Sequence, residues 1–228
     1  MSSHAWRRAI LVSVAGLVLT SAVGAIYAFW LQSKGDWGVG LPWERSFMLS
    51  LDRDVPTVVD LVLLGLPWLG TNLTLFPILA AVSLWLWRAK GRLDLAGQLM
   101  VTVVGSLIMN AVMKDAFNRP RPELWAHRGQ YQWASYPSGH AIVGVAVYFT
   151  IGLMLWRERG WRWPLPVASA ILLVNLYSRL YLGVHWPTDV IGGLTLGVLW
   201  LGVTQFAFAP LWQPRASGRL SAPCPDEK

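Results

Sequence analysis

The 228-residue chain has a single cysteine, Cys224, and few charged residues. One cysteine excludes an internal disulfide and a metal site built from several cysteines. Charged residues make up 14% of the sequence and apolar residues 54%, which is too apolar for an ordinary soluble domain. The scarcity of charge indicates a membrane protein. In such a protein the excess of 19 Lys and Arg over 12 Asp and Glu bears on orientation in the bilayer, and we expect no nucleic-acid partner.

The apolar residues fall into long blocks that predict an all-α, polytopic membrane protein with six transmembrane helices. A run of about 20 apolar residues is long enough to cross a bilayer. The predicted spans are approximately residues 9–31, 68–87, 93–117, 139–156, 164–182 and 186–208. Residues 57–66 are apolar but too few to span, so they predict a short interfacial or re-entrant helix between the first two spans.

Short basic loops follow the second and fourth predicted spans, at residues 88–92 and 157–162. With the N-terminus in the cytoplasm, both loops lie inside, as the positive-inside rule expects. The irregular segment 118–137 and the turn at His185 then lie together on the external face. We therefore predict a six-helix membrane domain at residues 1–212 and a mobile cytoplasmic tail at residues 213–228.

The stretch from residue 178 to residue 189 joins two apolar segments but carries an arginine, a histidine and an aspartate. Because proline is well tolerated in the first turn of a helix, Pro187 predicts that the sixth span begins near Trp186. His185 then lies at the entrance of this helix and Asp189 about one turn on. At that spacing the carboxylate can hold one imidazole nitrogen and leave the other as a base or nucleophile. A structural helix cap is the alternative explanation.

More candidate residues are predicted on the same face, in the order Lys114, Arg121, Ser138, Gly139, His140 and Arg179. Cations and a glycine-containing helix N-terminus suit a tetrahedral oxyanion such as phosphate. Two histidines in different environments suit a nucleophile and a general acid. Taken singly, each of the cations and Ser138 also has a purely structural explanation. The cations could be snorkelling or solvated side chains, and Ser138 could be an N-cap.

Three motifs together resemble the signature of the type 2 phosphatidic acid phosphatases, a superfamily that includes vanadium-dependent haloperoxidases. They are Lys114 with Arg121-Pro122, then Pro137-Ser138-Gly139-His140, then Ser178-Arg179 with His185 and Asp189. One ambiguity concerns Arg119, which precedes a first proline and could share or compete for the phosphate-binding role.

The resemblance implies a division of labour among these residues. His185 would attack phosphorus and form a phosphohistidine, Asp189 would orient it, and His140 would protonate the leaving oxygen. The phosphoryl oxygens would be held by Lys114, Arg121, Ser138, Gly139 and Arg179. No metal or other cofactor is expected, because this set contains no cluster of carboxylates that could hold a divalent ion.

The function implied by the resemblance is hydrolysis of a lipid phosphate or diphosphate at the external face of the inner (plasma) membrane. Undecaprenyl diphosphate and phosphatidylglycerophosphate are the implied substrates, and no obligate protein partner is expected. A lipid phosphotransferase could use the same residues. A non-catalytic protein that binds or transports an anionic lipid is the alternative from another class, and loss of a histidine or of Asp189 would mark it.

Overall fold

The computed structural model describes residues 2–51, 57–65, 72–88, 91–125 and 133–212. Throughout these ranges the regular elements are helices, in agreement with the predicted all-α class. The α-helices are α1 (Ser3–Gln32), α2 (Pro42–Leu49), α3 (Thr57–Gly65), α4 (Asn72–Arg88), α5 (Leu93–Phe117), α6 (Gly139–Gly144), α7 (Thr150–Arg159), α8 (Pro164–Tyr181) and α9 (Pro187–Ala207). A π-helical turn, Val145–Phe149, joins α6 to α7, and a 3-10 turn, Ala209–Trp212, follows α9.

Four helices of the described ranges are long and apolar enough to cross a bilayer. They are α1, α5, the continuous helix Gly139–Arg159 and α9, and they coincide with the first, third, fourth and sixth predicted spans. The helices α4 and α8 lie at the second and fifth predicted spans but are not among these four. The chain is thus a multi-pass membrane protein, with four clear candidate spans in the ranges that the structure describes.

The helix α2 was not predicted from the sequence. Its eight residues include charges and offer no long apolar run, but Pro42 at its first position favours a helix start. Glu44 then accepts a hydrogen bond from the backbone N–H of Leu41, with 2.7 Å between N and Oε2. By contrast, α3 matches the predicted short helix at residues 57–66. The predicted tail at residues 213–228 lies outside the described residues.

Close packing between α5 and α9 fixes the positions of their ends relative to each other. The Trp200 indole N–H donates to the backbone carbonyl of Thr102, at 2.7 Å, and its ring covers Gly105. A β-carbon at Gly105 would lie 2.2 Å from that ring, so only glycine allows the two helices to approach this closely. The helices α1 and α6 also pack against α9. This arrangement fixes the helix ends that carry the predicted site residues.

Candidate active site

The predicted site residues come from separate parts of the chain that meet at one end of the helix bundle. Two backbone hydrogen bonds join these parts: Ser135 N–H donates to the carbonyl of Arg119 at 2.7 Å, and Ser138 N–H donates to that of Asp189 at 3.0 Å. The linking segment contains no regular element in its described portions, residues 118–125 and 133–138, as the sequence predicts. The loop therefore connects the end of α5 to the starts of α6 and α9.

His185 and Asp189 are brought together as predicted, but a third residue lies beside them. Nδ1 of His185 is 3.8 Å from Oδ2 of Asp189, which is longer than a hydrogen bond. The Ser135 hydroxyl donates to the same Oδ2 and lies 3.4 Å from Nδ1, so it bridges the two side chains. Nothing in the local sequence distinguishes Ser135, because its partners are 50 and 54 residues away.

Asp189 also serves as the helix cap that was the alternative explanation. It is the third residue of α9, and its Oδ2 accepts the backbone N–H of Trp186, the N-cap residue, at 2.8 Å. The two interpretations of the pair are therefore compatible, because one carboxylate both caps the helix and faces the imidazole.

The protonation of His185 follows from its surroundings. Its side chain is almost entirely buried, and burial lowers its pKa from the ordinary 6.5 to about 3. Asp189 opposes this shift, whereas the positive charges of Arg121 and Lys114 add to it. The imidazole is consequently neutral at pH 7 and carries a lone pair on one ring nitrogen.

Lys114 and Arg121 lie against the two backbone segments that flank the histidine. Lys114 is 8% exposed, and its Nζ donates to the carbonyl of Ala134 and, at 3.4 Å, to that of Ser135. The Arg121 guanidinium donates through Nε to the carbonyl of Trp133 at 2.9 Å and through Nη1 to that of Val184. Both cations are thus adjacent to the His185 region, as predicted.

Ser138 is the N-cap residue of α6, but its side chain makes no capping hydrogen bond. Its Oγ is buried without a partner among the described residues. Ser138 therefore occupies the N-cap position, as the structural explanation expects, but its hydroxyl does not cap the helix. Gly139 follows, and a β-carbon there would lie 3.0 Å from the Asn110 side chain. This glycine allows α6 to start close to α5.

The remaining two predicted residues lie at helix ends. His140 is half-buried in the first turn of α6. Arg179 is in the last turn of α8 and 3% exposed, with its Nε 3.4 Å from the Ser178 hydroxyl. The N–H of Val184 donates to the backbone carbonyl of Arg179 at 3.1 Å, which ties the end of α8 to the turn before His185.

Arg119 is bound to the protein's own carboxylates. Its Nη1 is 2.6 Å from Oδ1 of Asp189 and 2.7 Å from the Thr188 hydroxyl, and its Nη2 is 3.0 Å from Oε2 of Glu44. Its Nε donates to the carbonyl of Trp37 at 3.3 Å. The sequence left open whether Arg119 binds phosphate, and it gave no indication of Glu44.

The arrangement suits displacement at an anionic tetrahedral centre. It combines a neutral imidazole, a carboxylate behind it and cationic side chains beside it. Within the ranges that the structure describes, no three His, Cys, Asp or Glu side chains are grouped so that they could hold a metal ion.

Comparison with known proteins agrees with this chemistry. The family model described as the PAP2 superfamily matches residues 95–211, which include every candidate residue. Phosphatidylglycerophosphatase B of Bacillus subtilis (strain 168) is 31% identical to this chain, over 60% of the chain and 70% of its own length. Undecaprenyl-diphosphatase BcrC of the same strain is 28% identical, over 60% of this chain and 69% of its own length.

A solved structure shows the same fold. The crystal structure of a transmembrane PAP2 type phosphatidylglycerolphosphate phosphatase from Bacillus subtilis has a TM-score of 0.66 and 22% identity, and the match covers 91% of this chain and 99% of that one. The match of the family model over residues 95–211 confirms the similarity suggested by the three motifs, and this chain belongs to the PAP2 superfamily.

Proposed function

We propose that this protein is an integral membrane lipid phosphatase that hydrolyses a lipid phosphate or diphosphate through a phosphohistidine intermediate. The observation that carries the proposal is the buried His185, with Asp189 facing it and Lys114 and Arg121 bound to the backbone segments beside it. Relatives named as a phosphatidylglycerophosphatase and an undecaprenyl-diphosphatase support a phosphate ester hydrolase with a lipid substrate of one of these two types.

In the first chemical step, Nε2 of His185 attacks phosphorus and the bond from phosphorus to the leaving oxygen breaks. The Ser135 oxygen lies within hydrogen-bond distance of Nδ1 and Asp189 lies behind it, so the proton is held on Nδ1 and the lone pair is on Nε2. His140 donates a proton to the leaving oxygen. Water then attacks phosphorus and gives a proton to His140, while the bond from phosphorus to Nε2 of His185 breaks, so that inorganic phosphate is released and the histidine is regenerated.

The phosphoryl oxygens are held by the remaining candidate residues in this proposal. Lys114, Arg121 and Arg179 supply positive charge, and the Ser138 hydroxyl and the start of α6 at Gly139 supply donors. Lys114 and Arg121 donate to backbone carbonyls beside the site. When a phosphate binds, these two side chains would exchange neutral carbonyl acceptors for charged phosphate oxygens. Hydrogen bonds to charged oxygens are the stronger ones.

The proposal extends to orientation in the membrane. We place α4 and α8 as the second and fifth of six spans, and α3 as the interfacial helix between the first two. Basic residues in the loops after α4 and α7 then face the cytoplasm, in accordance with the positive-inside rule. The candidate site lies at the opposite end, which is the external face of the inner membrane.

Phosphate release by the purified protein in detergent tests this function directly. The panel contains undecaprenyl diphosphate, undecaprenyl phosphate and phosphatidylglycerophosphate, each with and without an added acceptor lipid. We expect release of inorganic phosphate from at least one substrate, and the same assay on His185→Ala gives the background. Transfer of the phosphoryl group to the acceptor without phosphate release would instead indicate a phosphotransferase. Binding of the lipids without either reaction would contradict the proposal.

A further inference from the structure

Two helices that lie far apart in the sequence begin in the same way. The starts of α2 and α9 read Leu41-Pro42-Trp43-Glu44 and Trp186-Pro187-Thr188-Asp189. In each, proline is the first helical residue and the acidic third residue accepts the backbone N–H of the N-cap residue, at 2.7 Å in α2 and 2.8 Å in α9. Both carboxylates are fully buried, at 0% exposure. The two helix starts therefore present two buried negative charges.

Arg119 lies between these carboxylates and pairs with both. One terminal nitrogen donates to Asp189 at 2.6 Å and the other to Glu44 at 3.0 Å. Thr188 closes the network, because its N–H and hydroxyl donate to Oε1 of Glu44 at 3.0 and 2.6 Å. The guanidinium carbon also lies 4.7 Å from the centre of the Trp37 ring. The buried charges are thus well compensated, as burial requires.

The two oxygens of Asp189 have separate partners. Oδ1 accepts from Arg119, whereas Oδ2 accepts from Trp186 and Ser135 and faces the His185 ring. A carboxylate can rotate about its bond to the β-carbon, and the bond to Arg119 opposes that rotation. Arg119 in turn is held by Glu44 through the second nitrogen of its planar fork.

We propose that Arg119 and Glu44 are positioning residues for the nucleophile. They hold the Asp189 carboxylate so that one oxygen faces Nδ1 of His185, and they make no direct contact with the substrate phosphate. The inference rests on the proposed function, because it concerns the same histidine. It assigns a role in the chemical step to α2, which contributes none of the motif residues.

Steady-state kinetics separate positioning from phosphate binding. The variants are Arg119→Met, which removes the charge but keeps the length, Glu44→Gln, and the double variant. The exposed neighbour Arg45, changed to Gln, is the control on α2. Each is assayed on the best wild-type substrate, with inhibition by vanadate as the measure of phosphoryl-site binding and thermal melting as the measure of stability.

For both single variants we expect kcat to fall by about 10-fold or more, while KM and the vanadate inhibition constant change by less than about 2-fold. The double variant should lose less than the product of the single losses, because the two residues act through one contact. Arg119→Lys should recover only part of the rate, since lysine cannot donate to both carboxylates through a planar fork. Weaker vanadate inhibition with unchanged kcat would overturn the proposal and assign Arg119 to phosphate binding.

A spectroscopic measurement tests the inference without turnover. The chain has four histidines, so 15N-histidine NMR in detergent is tractable, and the spectrum of His185→Gln identifies the His185 signals. In the wild type we expect the proton on Nδ1. In Arg119→Met and Glu44→Gln we expect a shift toward the Nε2–H tautomer, whereas Arg45→Gln should match the wild type. An unchanged tautomer in both variants would overturn the positioning role and leave Arg119 and Glu44 with a purely structural one.

The two proposals fail in distinguishable ways. If wild-type protein releases phosphate from no lipid, the proposed function fails, and the NMR comparison still decides whether Arg119 and Glu44 position His185. If the wild type is active and the variants lose kcat only in proportion to their loss of thermal stability, the lipid phosphatase stands and the positioning role is overturned.

Discussion

The Ser135 hydroxyl lies 3.4 Å from Nδ1 of His185 and donates to the carboxylate of Asp189, so serine, histidine and aspartate form one buried cluster. Acceptor oxygens therefore face Nδ1. In the proposed mechanism this leaves Nε2 as the attacking nitrogen, and its consequences can be tested by substitution.

Replacing His185 and replacing His140 should affect hydrolysis differently, depending on the leaving group of the substrate. We expect His185→Ala to abolish hydrolysis of both a lipid monophosphate and a lipid diphosphate, because both need the nucleophile. His140→Ala should lower monophosphate hydrolysis by about 100-fold or more, since an alkoxide needs a general acid, and should affect diphosphate hydrolysis less. The measurement is kcat on one prenyl chain carried in both forms. Equal losses for His140→Ala on both substrates would show that this residue mainly binds phosphate.

Replacing arginine by lysine in the candidate phosphate site should be costly. Lysine keeps the charge but lacks the planar fork that matches two phosphoryl oxygens. We expect Arg121→Lys and Arg179→Lys each to lower kcat/KM by at least about 10-fold, equivalent to about 1.4 kcal/mol. Arg45→Lys, on the surface of α2, is the matched control and should remain within about 2-fold. If both site variants kept the wild-type kcat/KM, the two arginines would not bind phosphate through their planar forks.

Hydrolysis should not depend on a divalent metal ion. In the proposed site cationic side chains neutralise the phosphoryl oxygens, which is the task that a metal performs in many phosphatases. We expect full activity after dialysis against EDTA and inhibition by vanadate, which imitates the five-coordinate phosphoryl group. Loss of activity in EDTA with recovery upon addition of magnesium would refute this prediction.

Burial of His185 should make the protein less stable in mild acid. Because burial lowers its pKa from 6.5 to about 3, the unfolded chain binds this proton first as the pH falls. The contribution to stability is complete above pH 6.5 and is lost progressively toward pH 3. We expect the thermal midpoint in detergent to fall less between pH 7 and pH 4.5 in His185→Gln than in the wild type. His4→Gln, at an exposed position in α1, should follow the wild type, and an identical decrease in all three would contradict the assigned cause.

Membrane orientation can be tested by cysteine labelling after replacement of Cys224. Glu123 and Arg162 are exposed and lie at opposite ends of the proposed topology. We expect an impermeant reagent to label Glu123→Cys in intact spheroplasts and to label Arg162→Cys only after the membrane is broken. The reverse pattern would place the candidate site on the cytoplasmic face.

The sequence by itself determined the helical class, the bounds of α5 and most of the candidate site. The apolar block at residues 93–117 is followed by Asn118-Arg119-Pro120, so its length and composition specify a spanning helix regardless of what packs against it. Pro187 similarly marks the start of α9, because proline at the first helical position is a local preference. Residue types and order were enough to identify the three motifs.

Only the tertiary structure decided how the nucleophile is supported. Ser135 contacts Asp189 across 54 positions, Arg119 contacts it across 70, and Glu44 contacts Arg119 across 75. Such contacts depend on how α2, α9 and the connecting loop pack together, and they leave no periodic pattern in the chain. The sequence therefore left Arg119 as a possible phosphate ligand and did not indicate a role for Glu44. In the folded protein both side chains are buried and paired with opposite charges. The physical reason is that a charge removed from water must find an opposite charge.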